Sequence, residues 1–188
     1  RRRQRQMCIR DRLNTLKESM KAESEATRMY YRLLCIKAND KAYIRHTSDS
    51  LILPVLHYYT EKKDEHHLPE AYYYAGRVYR DLEDAPLALD YFQKAIDALP
   101  DNKGYRLKSK IYSQMGTLFL YQKTYDEALK ILKEARKCNI ALKDSASMLF
   151  NLRDIANGYR CLDQNDSSLY YLRNCLLYTS DAADDGES

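Results

Sequence analysis

Tryptophan is absent from this 188-residue chain, and glycine and proline are scarce, with five and four copies. So few turn-formers over so long a chain favour helices. Long hydrophobic runs are also missing. The longest, Leu51-Ile52-Leu53-Pro54-Val55-Leu56, is far too short to span a bilayer and carries a proline. Signatures of catalysis are missing too: there is no phosphate-binding glycine loop, no HExxH, no nucleophile elbow and no Cys/His metal spacing. An enzyme is therefore disfavoured, and neither cofactor nor metal is expected. Cys35, Cys138 and Cys161 are far apart and form no CxxC pair, so they read as helix-packing residues rather than a disulfide framework. What the chain does have is tyrosine, eighteen copies, and a mild positive balance of +4.

Part of that positive charge sits in the opening RRRQRQMCIRDR, six arginines in twelve residues, which would suit a nucleic-acid-binding arm. The far end, CLLYTSDAADD, is acidic and looks unrelated. With codons chosen freely, however, Arg2 to Arg12 and Cys175 to Asp185 can be written as reverse complements, offset by one base. Both stretches resemble the translated adaptor of a transposon-based sequencing library, read in opposite orientations. Residues 1–12 and 175–188 are accordingly expected to be adaptor-derived, non-native and without a role in fold or function. The frame would then run through adaptor at both ends, which makes 13–174 the native part and a fragment. Without the arginine arm, no contact with nucleic acid is expected, and no membrane span lies within the fragment.

A period of forty residues organises the interior. Asp126-Glu127-Ala128-Leu129 is matched by Pro86-Leu87-Ala88-Leu89 before it and by Asp166-Ser167-Ser168-Leu169 after it. Gly76, Gly116 and Ala156 share one register, and so do Tyr79, Phe119 and Tyr159. Within a unit the spacing is helical. Tyr72, Ala75, Gly76 and Tyr79 fall on one face, and Ala88, Phe92 and Ala95 fall on one face of a second helix. Small residues at Gly76 and Ala88 would let the two backbones approach. Asp84 reads as the N-cap of the second helix, Pro86 is tolerated in its first turn, and Pro100 to Gly104 ends it.

At these residues the chain resembles the tetratricopeptide repeat (TPR) family: Tyr72-x2-Ala75-Gly76-x2-Tyr79, then Ala88-x3-Phe92-x2-Ala95 and Pro100. The next unit keeps Tyr112, Met115, Gly116, Phe119, Ala128, Leu132 and Ala135, and the third keeps Leu152, Ile155, Ala156, Tyr159, Ser168 and Leu172. The family's usual period is 34 residues. The surplus of six is placed around Pro100 to Lys108 and Ile140 to Ser147, as longer helices or longer turns. The resemblance implies an all-α, right-handed α-solenoid of helix pairs, with TPR-like repeats over 67–174 (67–106, 107–146 and a truncated 147–174). Residues 13–66 read as a degenerate helical repeat, with helices over Ser24 to Ala38 and Ser50 to Lys63 and a late start or kink near Pro54. The stretch from Ala38 to Ile52 is similar to a segment of repeat proteins from Bacteroides-type bacteria. Such relatives commonly carry a lipoprotein or membrane anchor, and some continue into a coiled coil and a DNA-binding module.

The function implied is a non-catalytic scaffold that binds a protein or peptide. The alternative is the sensory or regulatory region of an envelope-anchored bacterial signalling protein whose output domain lies elsewhere. A bacterial cell-envelope location follows from the resemblance, with the cytoplasm as the alternative. In a TPR array the first helices line a concave groove, which would place Tyr73, Arg77, Arg80, Ser113, Thr117, Tyr121, Arg153, Asn157 and Arg160 as peptide-groove candidates. Arginines, hydroxyls and rings together suit an extended acidic peptide, and an ordinary polar surface explains them equally well. Arg153 and Asn157 resemble half of a carboxylate clamp, but the partner residues in neighbouring units are absent. His57, His66 and His67, near Glu61, Asp64 and Glu65, read as a solvated helix end rather than a metal site.

Overall fold

The computed structural model describes residues 2–100 and 104–184, with side chains described for 9–100 and 104–177. Among the described residues the chain is all-α: nine α-helices and one short 3-10 turn, without strands. It divides into two compact units, Arg1–Leu99 and Pro100–Ser188.

The first unit holds α1 (Arg2–Thr15), α2 (Glu25–Lys41), α3 (Ile52–Glu61), α4 (Leu68–Asp81) and α5 (Ala85–Asp97). Ser24 caps α2, accepting a hydrogen bond from Thr27 N. The partner helix α3 starts late, at Ile52, with Pro54 inside its first turn where a missing N–H costs nothing. Asp84 caps α5 by accepting from Leu87 N at 3.0 Å, with Pro86 in the first turn. The arginine-rich opening lies in α1, which packs on α2, and the Tyr31 hydroxyl donates to Leu13 O at 2.8 Å. Tyr31 is followed along α2 by the buried Leu33 and Ile36.

The second unit holds α6 (Tyr105–Tyr121), α7 (Tyr125–Leu142), α8 (Ser145–Cys161) and α9 (Asn165–Asp184). Here α6 and α7 run for 17 and 18 residues, against 14 and 13 in α4 and α5. Much of the surplus over the usual repeat is thus helix rather than loop. Asp144 caps α8 through Ser147 N at 3.0 Å.

The forty-residue register is visible in backbone angles as well as in side chains. Tyr43, Glu83, Lys123 and Asp163 all have positive φ, between 57° and 66°, and each follows the first helix of a pair. Lys63 and Lys143, halfway between, repeat the conformation after second helices. Every one of these turns closes the same way: Asp84 N bonds Tyr79 O, Thr124 N bonds Phe119 O, and Gln164 N bonds Tyr159 O, all at 3.0 Å. That six-residue closure satisfies carbonyls a helix end would otherwise leave bare. None of the six positions is glycine, so each costs on the order of 1 kcal/mol in backbone strain, offset by the closing hydrogen bonds.

Close contact within a pair follows from the small residues. A Cβ on Gly76 would lie 2.5 Å from Phe92 Cδ1, and one on Gly116 would lie 2.5 Å from Leu132 Cγ. Phe92 and Leu132 are fully buried against those glycines, as are Ala88, Ala95, Ala128 and Ala135. In the third pair the glycine becomes Ala156, Leu172 at the position of Phe92 and Leu132 is half exposed, and Ser168 donates its hydroxyl to Ala156 O at 2.9 Å. A serine at the alanine position is admitted because its hydroxyl finds a partner across the seam.

Candidate interaction surface

In the first unit, α4 lies against α2, α3 and α5, and that enclosure decides the state of its candidate residues. Tyr73 is 6% exposed, with its ring 5.0 Å from Tyr74 and 6.0 Å from Phe92. Burial pushes its hydroxyl up to about 12. Tyr73, a groove candidate by sequence, is thus a buried residue, because a helix covered on several sides buries more than one face. Arg77 is committed to Asp40 of α2, with Nε donating to Oδ1 at 2.7 Å and both side chains under 15% exposed. Arg80 donates to Asp81 Oδ1 at 2.6 Å.

The loop between α2 and α3 is tied to the same end of α4. His46 N donates to Asp81 Oδ2 at 3.0 Å, Arg45 donates to Asp81 O and Glu83 Oε1 at 2.7 Å each, and the Tyr79 hydroxyl donates to Asp49 Oδ2 at 2.9 Å. Burial lowers the pKa of the His46 imidazole, against the pull of Asp81 and Asp40. Burial alone would raise the Asp81 carboxyl, but Arg80 and the His46 N–H outweigh it and hold it below the ordinary value. These contacts explain why the stretch from Ala38 to Ile52, irregular as a helix pair, is nevertheless ordered.

In the second unit the candidates separate into a buried set and an open set. Ser113 accepts from Asn151 Nδ2 at 2.9 Å, and Thr117 donates back to Ser113 O at 2.8 Å. They belong to a polar chain that the sequence reading missed: Ser109 donates to Asn139 Oδ1, Asn139 Nδ2 donates to Asn151 Oδ1, and Asn151 donates to Ser113. Asn139 and Asn151 are fully buried, and the chain links α6, α7 and α8. The one available signal was an asparagine at a register position held by Ala71 and Ile111 in the earlier pairs. Open to solvent are Tyr121, at 81% exposure, and Arg153, Asn157 and Arg160 on α8. Arg160 donates to Asn157 Oδ1 at 2.8 Å, and Arg153 pairs with Asp154 while its guanidinium lies 5.4 Å from the Phe150 ring.

Elsewhere, His67 Nδ1 lies 2.8 Å from Asp64 Oδ2, and His57 lies 3.4 Å from Glu61. Among the described residues no group of three or more His, Cys, Asp or Glu could hold a metal ion, and the described cysteines are free thiols. No described helix is long and apolar enough to cross a membrane.

Comparison with known proteins bears on the fold. Residues 69–102 match the tetratricopeptide repeat model, which covers the α4–α5 pair and the turn after it. No curated protein matches the chain in sequence. Among solved structures, MamA superposes with a TM-score of 0.68 at 17% identity, over 92% of this chain and 89% of that one. BtubC (BKLC) from P. vanneervenii gives 0.70 at 14% identity, over 96% and 75%. A Podosopora anserina kinesin-light-chain-like protein with nearly identical TPR-like repeats gives 0.67 at 11% identity, over 95% and 87%. The chain is therefore an all-α protein of TPR-like helix pairs, with a tetratricopeptide repeat at 69–102.

Proposed function

We propose that the chain is a non-catalytic scaffold whose second unit binds an acidic segment of a protein partner. The observation that carries this reading is the open face of α8, where Arg153, Asn157 and Arg160 stand in solvent, together with the exposed Tyr121 at the end of α6. Guanidinium groups and a phenol ring offer charge-assisted hydrogen bonds and ring contacts to carboxylates on an extended chain. Single exposed charge contacts contribute under about 1 kcal/mol each, so several must act together and binding must weaken as salt rises. Arg77 and Arg80 contribute less, because Asp40 and Asp81 already hold them.

The test is a pull-down at low salt with the intact chain, comparing the natural protein with Arg153→Ala/Arg160→Ala and with Arg77→Ala/Arg80→Ala. Partners recovered by the natural protein should be lost from the first variant and retained by the second, folding permitting by circular dichroism. Full retention by the first variant rejects the α8 face as the site. We also infer that residues 1–12 and 175–188 are adaptor-derived and play no part in binding; nucleotide sequence unlike the adaptor at either end would revive a basic arm.

A further inference from the structure

Three tyrosines, a histidine and an aspartate meet in the first unit where α2 begins and α3 ends. They surround an open pocket of about 380 Å³ lined by Thr27, Tyr30, Tyr58, Tyr59, Asp64 and His67. The walls are braced ring against ring. The His67 imidazole stacks on Tyr59, with centroids 5.1 Å apart and planes 14° from parallel. Tyr30 meets His67 edge-on at 5.6 Å, and Tyr58 meets Tyr59 edge-on at 5.4 Å. Asp64 fixes the histidine by accepting from its backbone N–H at 3.0 Å and lying 2.8 Å from Nδ1.

Two features point to the kind of ligand. Tyr59 is only 2% exposed, and its hydroxyl is buried without a hydrogen-bond partner. That oxygen is closed off from solvent, so Tyr59 forms the pocket's floor, while the partly exposed Tyr30, Tyr58 and His67 present ring surface to an entering group. The pocket also holds a carboxylate. Phenol faces carry negative quadrupole charge, and the Asp64 carboxylate is held ionised: burial opposes it, but the His67 and His66 N–H groups and the His67 ring prevail. Tyr59 stays a neutral phenol, pushed up to about 12 by burial and then by Asp64. One of the chain's own ammonium groups, that of Lys62, already lies 5.9 Å from the Tyr58 ring centroid.

We propose that this pocket binds an alkylammonium group, presented either by a lysine side chain of a protein partner or by a free amine. Rings on several sides and one carboxylate are the arrangement that attracts a cation with a greasy stem, while an anion would meet Asp64 and a neutral group would gain nothing from the carboxylate's charge. The site lies on different helices from the arginine face of α8 and takes ligands of opposite charge, so it stands or falls independently.

The experiment follows the ring signals of Tyr30 and His67 by NMR in the full chain, at one neutral pH, during titration with n-butylammonium or n-butanol. Saturable shifts with the amine alone are expected. Affinity should drop by roughly fivefold in Tyr30→Leu, a substitution at a half-exposed ring that the fold tolerates, and similarly in Asp64→Asn, which keeps the capping oxygen. Equal shifts with butanol, no saturable shift with the amine, or undiminished affinity in both folded variants would each overturn the proposal. A further arm adds a neutral peptide bearing one lysine. Binding at least about tenfold tighter than butylammonium assigns the ammonium to a protein partner, binding no tighter assigns it to a free amine, and either result sustains the chemical class.

Discussion

Phe92 in the first unit and Leu132 in the second stand at one place in the forty-residue register, each filling the space opened by a glycine on the facing helix. Around them the two units differ. The first is aromatic and ionic: Tyr73, Tyr74 and Tyr79 crowd the α4 seam, and Arg77 reaches Asp40 across it. The second is aliphatic, with Leu129, Leu132 and Ile155 at its centre, and its buried polar residues are amides and hydroxyls without formal charge. The position of small residues is common to both, whereas the chemistry of what fills the remaining space is not. Helix approach therefore depends on where side chains are missing, and identity elsewhere is free to drift provided volume and hydrogen bonding are met.

The comparison can be broken most forcefully at Ala128, which is fully buried between α7 and its neighbours. Replacing it by Arg should cost on the order of 3 kcal/mol or more, because a charge would be driven into a close helix contact. Unchanged thermal stability would mean that the shared register is misaligned. A milder probe is Gly76→Ala, whose new Cβ would collide with the Phe92 ring. A loss of about 2 kcal/mol is expected from the forced shift. A leucine in place of Phe92 would not make room, since Leu132 stands equally close to Gly116, so Gly76→Ala should cost markedly less only in a Phe92→Ala background, read by urea titration.

The amide line offers a sharper contrast. Asn139→Leu should cost about 2 kcal/mol by stranding Ser109 and Asn151, and Asn139→Leu with Asn151→Leu should cost less than the single change, since both ends of the broken bond are then apolar. A double variant worse than the single would show that the amides hold shape rather than satisfy one another.

The smallest effect separates the units by pH. His46 has a lowered pKa in the folded chain, so the unfolded chain binds its proton first as pH falls below about 6.5. Stability from keeping it neutral is present above that value and is lost on the way down to the folded pKa. Asp81 acts further into acid, its contribution vanishing as pH drops through its own lowered value. Hydrogen exchange of α4 amides should therefore weaken by up to about 1 kcal/mol between about pH 7 and pH 5, with α7 steadier, and His46→Gln should flatten the change.

How much of this was legible in the sequence depended on distance along the chain. Ala88, Ala128 and Ser168 announced their register, and Asp84 its cap, because helix pairing and capping are local and periodic. The late start of α3 was visible in Pro54. The burial of Tyr73 was not legible, because it depends on α2 as well as α5, and nothing near Tyr73 reveals a neighbour reached through Asp40. The Asn139–Asn151 line escaped for a related reason: each asparagine alone looks like an exposed polar residue, and only the folded pairing buries both. Of the candidate surface, the open members Tyr121, Arg153, Asn157 and Arg160 were those on faces that no other described helix covers.

The left-handed turns at Tyr43, Lys63, Glu83, Lys123, Lys143 and Asp163 carry a consequence for how this chain can change in length. Each turn is closed by a hydrogen bond spanning the same few residues, and after Glu83, Lys123, Lys143 and Asp163 the next helix begins two residues later. One residue inserted within α6 ahead of Gly116 would rotate everything beyond it by about 100°, carrying Gly116 away from Leu132. Substitutions are absorbed one site at a time, but an insertion is felt by every later contact of the helix. Natural variants of this chain should accordingly differ freely in sequence and hardly at all in helix length, with added residues accepted only at the stretches that break the beat, such as the long loop ahead of α3.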